Sequence, residues 1–193
     1  ISSPTIGQNG TLRVGIDADG GAPFVTSSSS ASYAGIDVDM AAALADQLGL
    51  KLELVDVAGN ASSALADGDV DIVMSQTSTE KSSTMWVSDP YIETGVALFA
   101  SNGSTTVPES VQASSIAAQS SSTSAWAVQN AFGDDALNPA SDLVSAFSLV
   151  ETGKSQYVAA DAVIGSYAAL VQSVDVQPIA LLGSKGGYCI GVD

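Results

Sequence analysis

The 193-residue sequence contains no histidine, so a histidine general base, Ser-His-Asp and Cys-His nucleophile systems and the common zinc sites are excluded together. Positive charge is also scarce. Five lysines and arginines stand against 21 aspartates and glutamates, a net charge of −16 that disfavours nucleic acid and anionic membrane faces as partners. The single cysteine, Cys189, has no internal disulfide partner. The longest apolar runs, such as residues 96–100 and 179–182, fall far short of the ~20 residues that cross a bilayer. Ile1-Ser2-Ser3-Pro4 lacks the charged start and apolar stretch of a secretion signal, so any targeting segment is expected outside this sequence. Charged residues make up only 13% of the chain against 46% hydrophobic residues, a balance that supports a folded core. At ~150 residues per domain, the length fits one medium domain or two small lobes.

What is present alternates between strand and helix. Leu12-Arg13-Val14-Gly15-Ile16 reads as a strand running into the turn-forming cluster Asp17-Ala18-Asp19-Gly20-Gly21-Ala22-Pro23. Ile36, Met40, Leu44 and Leu48 recur every four residues. Asp37 and Asp39 suit that helix's N-terminus and Gly49 its C-terminus. Strands are expected at 51–55 and 70–74, with a short helix between them capped by Asn60 and reaching Asp67. The serine run 27–30 reads as a loop.

The second half repeats the pattern. A strand is expected at 115–119, helices at 122–132 and 141–152 closed by Gly133 and Gly153, a strand at 160–164, and a helix after Ser166. Such alternation predicts a largely parallel sheet in each of two α/β units. Open α/β sheets bind ligands beyond the carboxyl ends of their strands, which points to two lobes facing one cleft.

Leu12-Arg13-Val14-Gly15-Ile16-Asp17, Gly35-Ile36-Asp37-Val38-Asp39-Met40, Asp69-Val70-Asp71-Ile72, Thr79-Glu80-Lys81 and Val87-Ser88-Asp89-Pro90-Tyr91 together resemble the extracellular solute-binding proteins of family 3, amino-acid-type receptors of bacterial ABC importers. The resemblance covers nearly the whole chain. It implies a two-lobed type II periplasmic-binding-protein fold with an interlobe ligand cleft. Lobe 1 is expected at 1–93 plus 190–193, lobe 2 at 94–189, with hinge crossings near 91–95 and 187–189, placing Cys189 in a hinge. Family members continue beyond the segment matching 186–193, so C-terminal helices of lobe 1 are expected to be missing here.

Candidate ligand contacts follow from that resemblance, each beside a simpler role. Asp17 is expected to receive a ligand ammonium, or to bond its own turn. Ser75, Gln76, Thr77 and Ser78 leave the third strand where the family presents ligand contacts, although Ser78 also suits a helix cap. Lys81 stands where an arginine fork usually grips a carboxylate, and it offers a point charge or a solvated helix face. Ser122, Thr123 and Ser124 open a helix, so hydroxyls and free N–H groups favour a carboxylate there; ordinary capping needs only one of them. Ser166 occupies the expected place of an aspartate that pairs with the α-ammonium. Trp86, Trp126 and Tyr167 are candidate aromatic shelves, or core residues.

These residues fit a receptor for a small polar ligand, an amino acid or related compound, working outside the cytoplasm with an ABC permease. A lipid anchor outside this sequence would tether it. No metal or cofactor is expected. A secreted dehydratase-like enzyme using Asp17 or Asp19 as general acid, and a sensing domain of a larger receptor, are the alternatives. With neither arginine at Lys81 nor aspartate at Ser166, the sequence predicts weak binding of ordinary zwitterionic amino acids.

Overall fold

In the computed structural model, residues 6–27, 32–77, 85–101 and 106–193 are described. In chain order the strands are β1 (Thr11–Ile16), β2 (Thr26–Ser27), β3 (Tyr33–Ala34), β4 (Lys51–Asp56), β5 (Ile72–Thr77), β6 (Trp86–Val87), β7 (Ile92–Thr94), β8 (Val96–Ser101), β9 (Ile116–Gln119), β10 (Leu137–Ala140), β11 (Tyr157–Asp161), β12 (Val176–Leu181) and β13 (Gly186–Val192). The helices are α1 (Ile36–Leu48), α2 (Ala61–Ala66), α3 (Thr123–Phe132), α4 (Leu143–Glu151) and α5 (Ala162–Gln172). The chain divides into unit 1, Ile1–Glu93 with Gly186–Asp193, and unit 2, Thr94–Lys185.

The sheet of unit 1 has the order β4-β1-β5-β13-β6, with β7 paired to β13. That of unit 2 has the order β10-β9-β11-β8-β12. In each, three parallel strands are followed by one antiparallel strand, β13 in unit 1 and β8 in unit 2. The sheets are therefore mixed rather than largely parallel, because the strand entering each unit from the other takes the antiparallel place.

Strand β1 buries Leu12, Val14 and Ile16 at alternate positions, as the two-residue period of a strand requires. Its outward Arg13 forms an ion pair with Asp71. Arg13 Nη2 donates to Asp71 Oδ1 at 2.8 Å and Nη1 to the carbonyls of Gly68 and Asp69 at 2.7 and 2.9 Å. Asp71 also accepts the N–H groups of Gly7 and Arg13. This network fixes the turn that feeds β5.

Helix α1 ends on Gly49 in the left-handed conformation (φ 67°), whose N–H bonds back to the last turn. The stripe that suggested the helix is not its buried face: Met40 and Leu48 are exposed, while Asp37, Ala41 and Ala45 are buried. Alanines let the helix approach the sheet closely. Asn60 stands at the start of α2 but makes no cap bond there; its side-chain amide donates to the Ala58 carbonyl.

In unit 2, Phe99 and Phe147 are fully buried and meet edge to face, with ring centroids 6.3 Å apart. Helix α5 packs on this pair through Gly165. A methyl group there would lie 2.6 Å from Phe99 Cζ.

The later elements differ from expectation in two places. The strand expected at 160–164 lies at Tyr157–Asp161, and its helix begins at Ala162. Asp161 accepts two N–H groups of the first turn of α5, which stops the strand three residues earlier. The second boundary between units falls after Lys185, and residues 187–189 belong to β13. Cys189 is fully buried opposite Gln76 because β13 enters the middle of the sheet.

Candidate functional site

In each unit the candidate residues lie where parallel strands end. In unit 1, β1 and β4 finish side by side at Ile16 and Asp56, so Asp17 and the loop through Gly59 meet at one end of the sheet. The Asp17 carboxylate accepts the Asp19 N–H at 3.1 Å, and its carbonyl accepts that of Gly20 at 3.0 Å. This is the turn aspartate of the simpler reading. A cavity of about 380 Å³ beside it is lined by Gly59, Asn60, Gln76 and Met85. Gln76 also donates to the Met74 carbonyl at 2.8 Å.

Ser75 adopts a left-handed backbone (φ 56°), which is unusual for a residue with a side chain. A buried cluster holds it there. Asp37 accepts the Ser75 hydroxyl at 2.6 Å and the Tyr91 hydroxyl at 2.7 Å, and Tyr91 in turn accepts the Ser75 N–H at 3.0 Å. Burial pushes the Asp37 carboxyl above its usual range, against the two hydroxyl bonds that favour the charged form. Burial and the neighbouring Asp37 charge likewise push the Tyr91 hydroxyl up. Asp37 and Tyr91, from the two most distinctive sequence motifs, therefore shape the strand end from beneath. Thr77 is exposed at the end of β5, and Ser78 and Lys81 lie outside the described residues.

In unit 2 the ends of β9 and β11 line a cavity of about 230 Å³ together with the start of α3. Ser122 caps α3 by accepting the Ala125 N–H at 3.1 Å, while its own hydroxyl donates to the Gln119 carbonyl at 2.6 Å. Ser122, Thr123 and Ser124 all line this cavity, and so does Asp161. An electropositive helix start and a carboxylate thus share one cavity, an arrangement suited to a group carrying both charges.

Ser166 is not part of this arrangement. Because β11 ends at Asp161, Ser166 falls within α5 and is exposed. Asp161 is the residue that sequence reasoning missed. Trp126 and Trp86 are exposed, against the expectation that a helical tryptophan packs in the core, and Trp86 lies on a strand. Trp126, with Leu137 and Pro139, lines a further cavity of about 640 Å³ that shares Ser122 and Thr123 with the first.

Comparison with known proteins places this architecture. No curated protein sequence matches the chain. Among solved structures, an ancestral cationic amino acid solute-binding protein shares 27% identity over 95% of this chain and 82% of its own, with a TM-score of 0.75. The L-cystine solute receptor of Neisseria gonorrhoeae in its unliganded open conformation shares the fold at 22% identity, over 95% and 79% of the two chains, with a TM-score of 0.78. A second structure of that same ancestral protein, there described as an amino acid-binding protein and a precursor of cyclohexadienyl dehydratase, shares 26% identity over 95% and 82%, with a TM-score of 0.59. Residues 12–176 match the family model, and the chain belongs to the bacterial extracellular solute-binding proteins, family 3.

Proposed function

We propose that this protein is an extracytoplasmic receptor that binds an α-amino acid or close relative and delivers it to an ABC importer. The observation that carries this reading is the cavity of unit 2, where Asp161 and the serine-rich start of α3 stand together. The α-carboxylate would sit on the free N–H groups at the start of α3 and the hydroxyls of Thr123 and Ser124, and the ammonium would pair with Asp161. On the same reading Asp17 and residues 75–77 are the candidate ligand contacts of unit 1. On this reading Asp161 supplies the acid expected at Ser166, and lysine in place of arginine at Lys81 is the remaining departure behind the expected weak binding of zwitterionic amino acids.

Titration with the twenty standard amino acids and L-cystine tests the reading. A ligand that binds only the folded state raises its stability, so thermal shift provides a first screen. Asp161→Asn is expected to weaken binding about 100-fold, since removing one partner of a desolvated charge pair costs roughly 2–5 kcal/mol. Unchanged affinity in that variant would refute the assignment.

A second reading has one support, the likeness to the ancestral protein described as a dehydratase precursor. On that reading Asp17 or Asp19 would serve as general acid for loss of water from a cyclic acid. Release of water-elimination product from such a substrate, abolished by Asp17→Asn, would favour it over transport.

A further inference from the structure

The Asp161 carboxylate is held from two directions. Its Oδ1 accepts the N–H groups of Val163 and Ile164 at 2.9 and 3.0 Å, and its Oδ2 accepts the Thr94 hydroxyl at 2.7 Å. Thr94 is the first residue of unit 2, immediately after the chain leaves unit 1. The adjoining backbone is tied at the same point. Ala162 N–H donates to the Gly95 carbonyl at 2.9 Å, and Asp161 lies opposite Val96 where β8 pairs with β11.

The helix cap by itself fixes one carboxylate oxygen only, because the terminal torsion of an aspartate is broad and roughly two-fold. A donor on Oδ2 fixes the plane. Each carboxylate oxygen offers two lone-pair directions, so the Thr94 hydroxyl on one sets where the other points. Asp37 in unit 1 also accepts a hydroxyl from the crossing segment, that of Tyr91, but Asp37 is 1% exposed and its bonds serve the core. Asp161 instead lines a cavity, where the direction of its oxygen matters to whatever enters.

Resting on the amino-acid reading above, we infer that Thr94 is a positioning residue whose hydroxyl aims Asp161 Oδ2 at the ammonium of a bound α-amino acid. Recognition of the ammonium, and not of the carboxylate, then depends on Thr94. Valine at this position matches threonine in shape and removes only the hydroxyl; serine keeps the hydroxyl.

The test is calorimetric titration of the full-length protein that carries this sequence and of its Thr94→Val, Thr94→Ser and Asp161→Asn variants. The probes are the twenty standard L-amino acids, L-cystine and the corresponding carboxylic acids lacking the α-amino group. Thr94→Val is expected to weaken the tightest-binding amino acids about ten-fold, the scale of one hydrogen bond to a charged group, and Thr94→Ser to restore most of the loss. Binding of the deaminated acids is expected to be the same in Thr94→Val and the unaltered protein. Where those acids bind too weakly to titrate, Thr94→Val in the Asp161→Asn background decides. A ten-fold loss of amino-acid affinity in the parent that is absent beside Asp161→Asn supports the assignment, and equal loss in both backgrounds overturns it. Equal weakening of both ligand series also overturns it. Full affinity in Thr94→Val with loss in Asp161→Asn would overturn the role of Thr94 and leave the amino-acid reading standing. Failure of the unaltered protein to bind any amino acid would overturn both.

Discussion

Replacing Gly165 by alanine is expected to destabilise unit 2 by about 2–3 kcal/mol, the upper range for overpacking a filled core. The usual effect has the opposite sign, since glycine inside a helix costs roughly 1 kcal/mol relative to alanine. Here the space that a methyl group would fill is occupied. A Cβ on residue 165 would lie 2.6 and 2.7 Å from Phe99 Cζ and Cε2 and 3.1 Å from Ala160 Cβ. Phe99 is fully buried at the centre of β8 and packs edge to face on Phe147, so its ring cannot turn aside cheaply. Helix α5 would have to lift, carrying the cap at Asp161 with it. Denaturant unfolding of Gly165→Ala should therefore show a lower midpoint, Phe99→Leu in the same chain should recover part of the loss, and ligand affinity should fall with stability. A Gly165→Ala variant as stable as the parent would show that α5 is not packed on Phe99 in this way.

Loss of the Arg13 side chain is the second large effect, expected to cost about 3 kcal/mol on the scale of breaking a largely buried ion pair. Arg13→Ala removes the side-chain donors to Asp71 and to the carbonyls of Gly68 and Asp69 at once. The Asp71 side chain is only 6% exposed, so water replaces those donors poorly. Burial alone would raise the Asp71 carboxyl, but bonds from the Arg13 side chain and from the Gly7 and Arg13 backbones hold it below its usual range. A depressed carboxyl contributes stability above its unfolded value of about 3.9, and that contribution is lost as pH falls through the folded value.

Asp37 works in the opposite sense. Its raised carboxyl contributes stability below about 3.9, lost as pH rises through the folded value. Acidification from neutral pH should thus first stabilise unit 1 through Asp37 and then destabilise it through Asp71. Unfolding measured across this range checks both limbs: Arg13→Ala should flatten the acid limb and Asp37→Asn the upper one. An acid limb unchanged by Arg13→Ala would mean that the pair does not carry it.

The two α/β units were legible in the sequence because β1, β4, β5 and β9 and the helices α1 to α4 carried their own period or punctuation, whereas β8, β10, β12 and β13 were not expected. Nor was Asp161. Ala160-Asp161-Ala162-Val163-Ile164 is a short apolar run, a pattern that cannot distinguish a strand from the start of a buried helix. Asp161-Ala162-Val163 has the form of Asp71-Ile72-Val73 at the start of β5, and aligning the two sets the strand too late. The glycines gave the better register: β5 begins four residues after Gly68 and β11 four residues after Gly153, which sets Asp161 level with Gln76. The buried face of α1 was hidden for a different reason. Asp37 is drawn inward by hydroxyls from Ser75 and Tyr91, partners distant in sequence that no local pattern reports. The roles of Ser122 and Gly49 needed only their own helices and could be read directly.

The return of β13 into the sheet of unit 1 sets an order of folding. Unit 1 is complete only when β13 lies between β5 and β6, yet a segment of about 90 residues separates β13 from the rest of that unit. Closing so long a flexible loop costs about 4 kcal/mol of chain entropy, apart from a constant. A folded unit 2 removes most of that cost. Its first and last strands, β8 and β12, pair antiparallel, and the Leu182 N–H donates to the Val96 carbonyl at 2.7 Å, so the two ends of the inserted segment already stand together. Unit 2 should accordingly fold first and act as a clasp for unit 1. In pulsed hydrogen exchange during refolding, amides of β8, β9 and β11 should gain protection before those that join β13 to β5, and the reverse order would exclude this sequence of events.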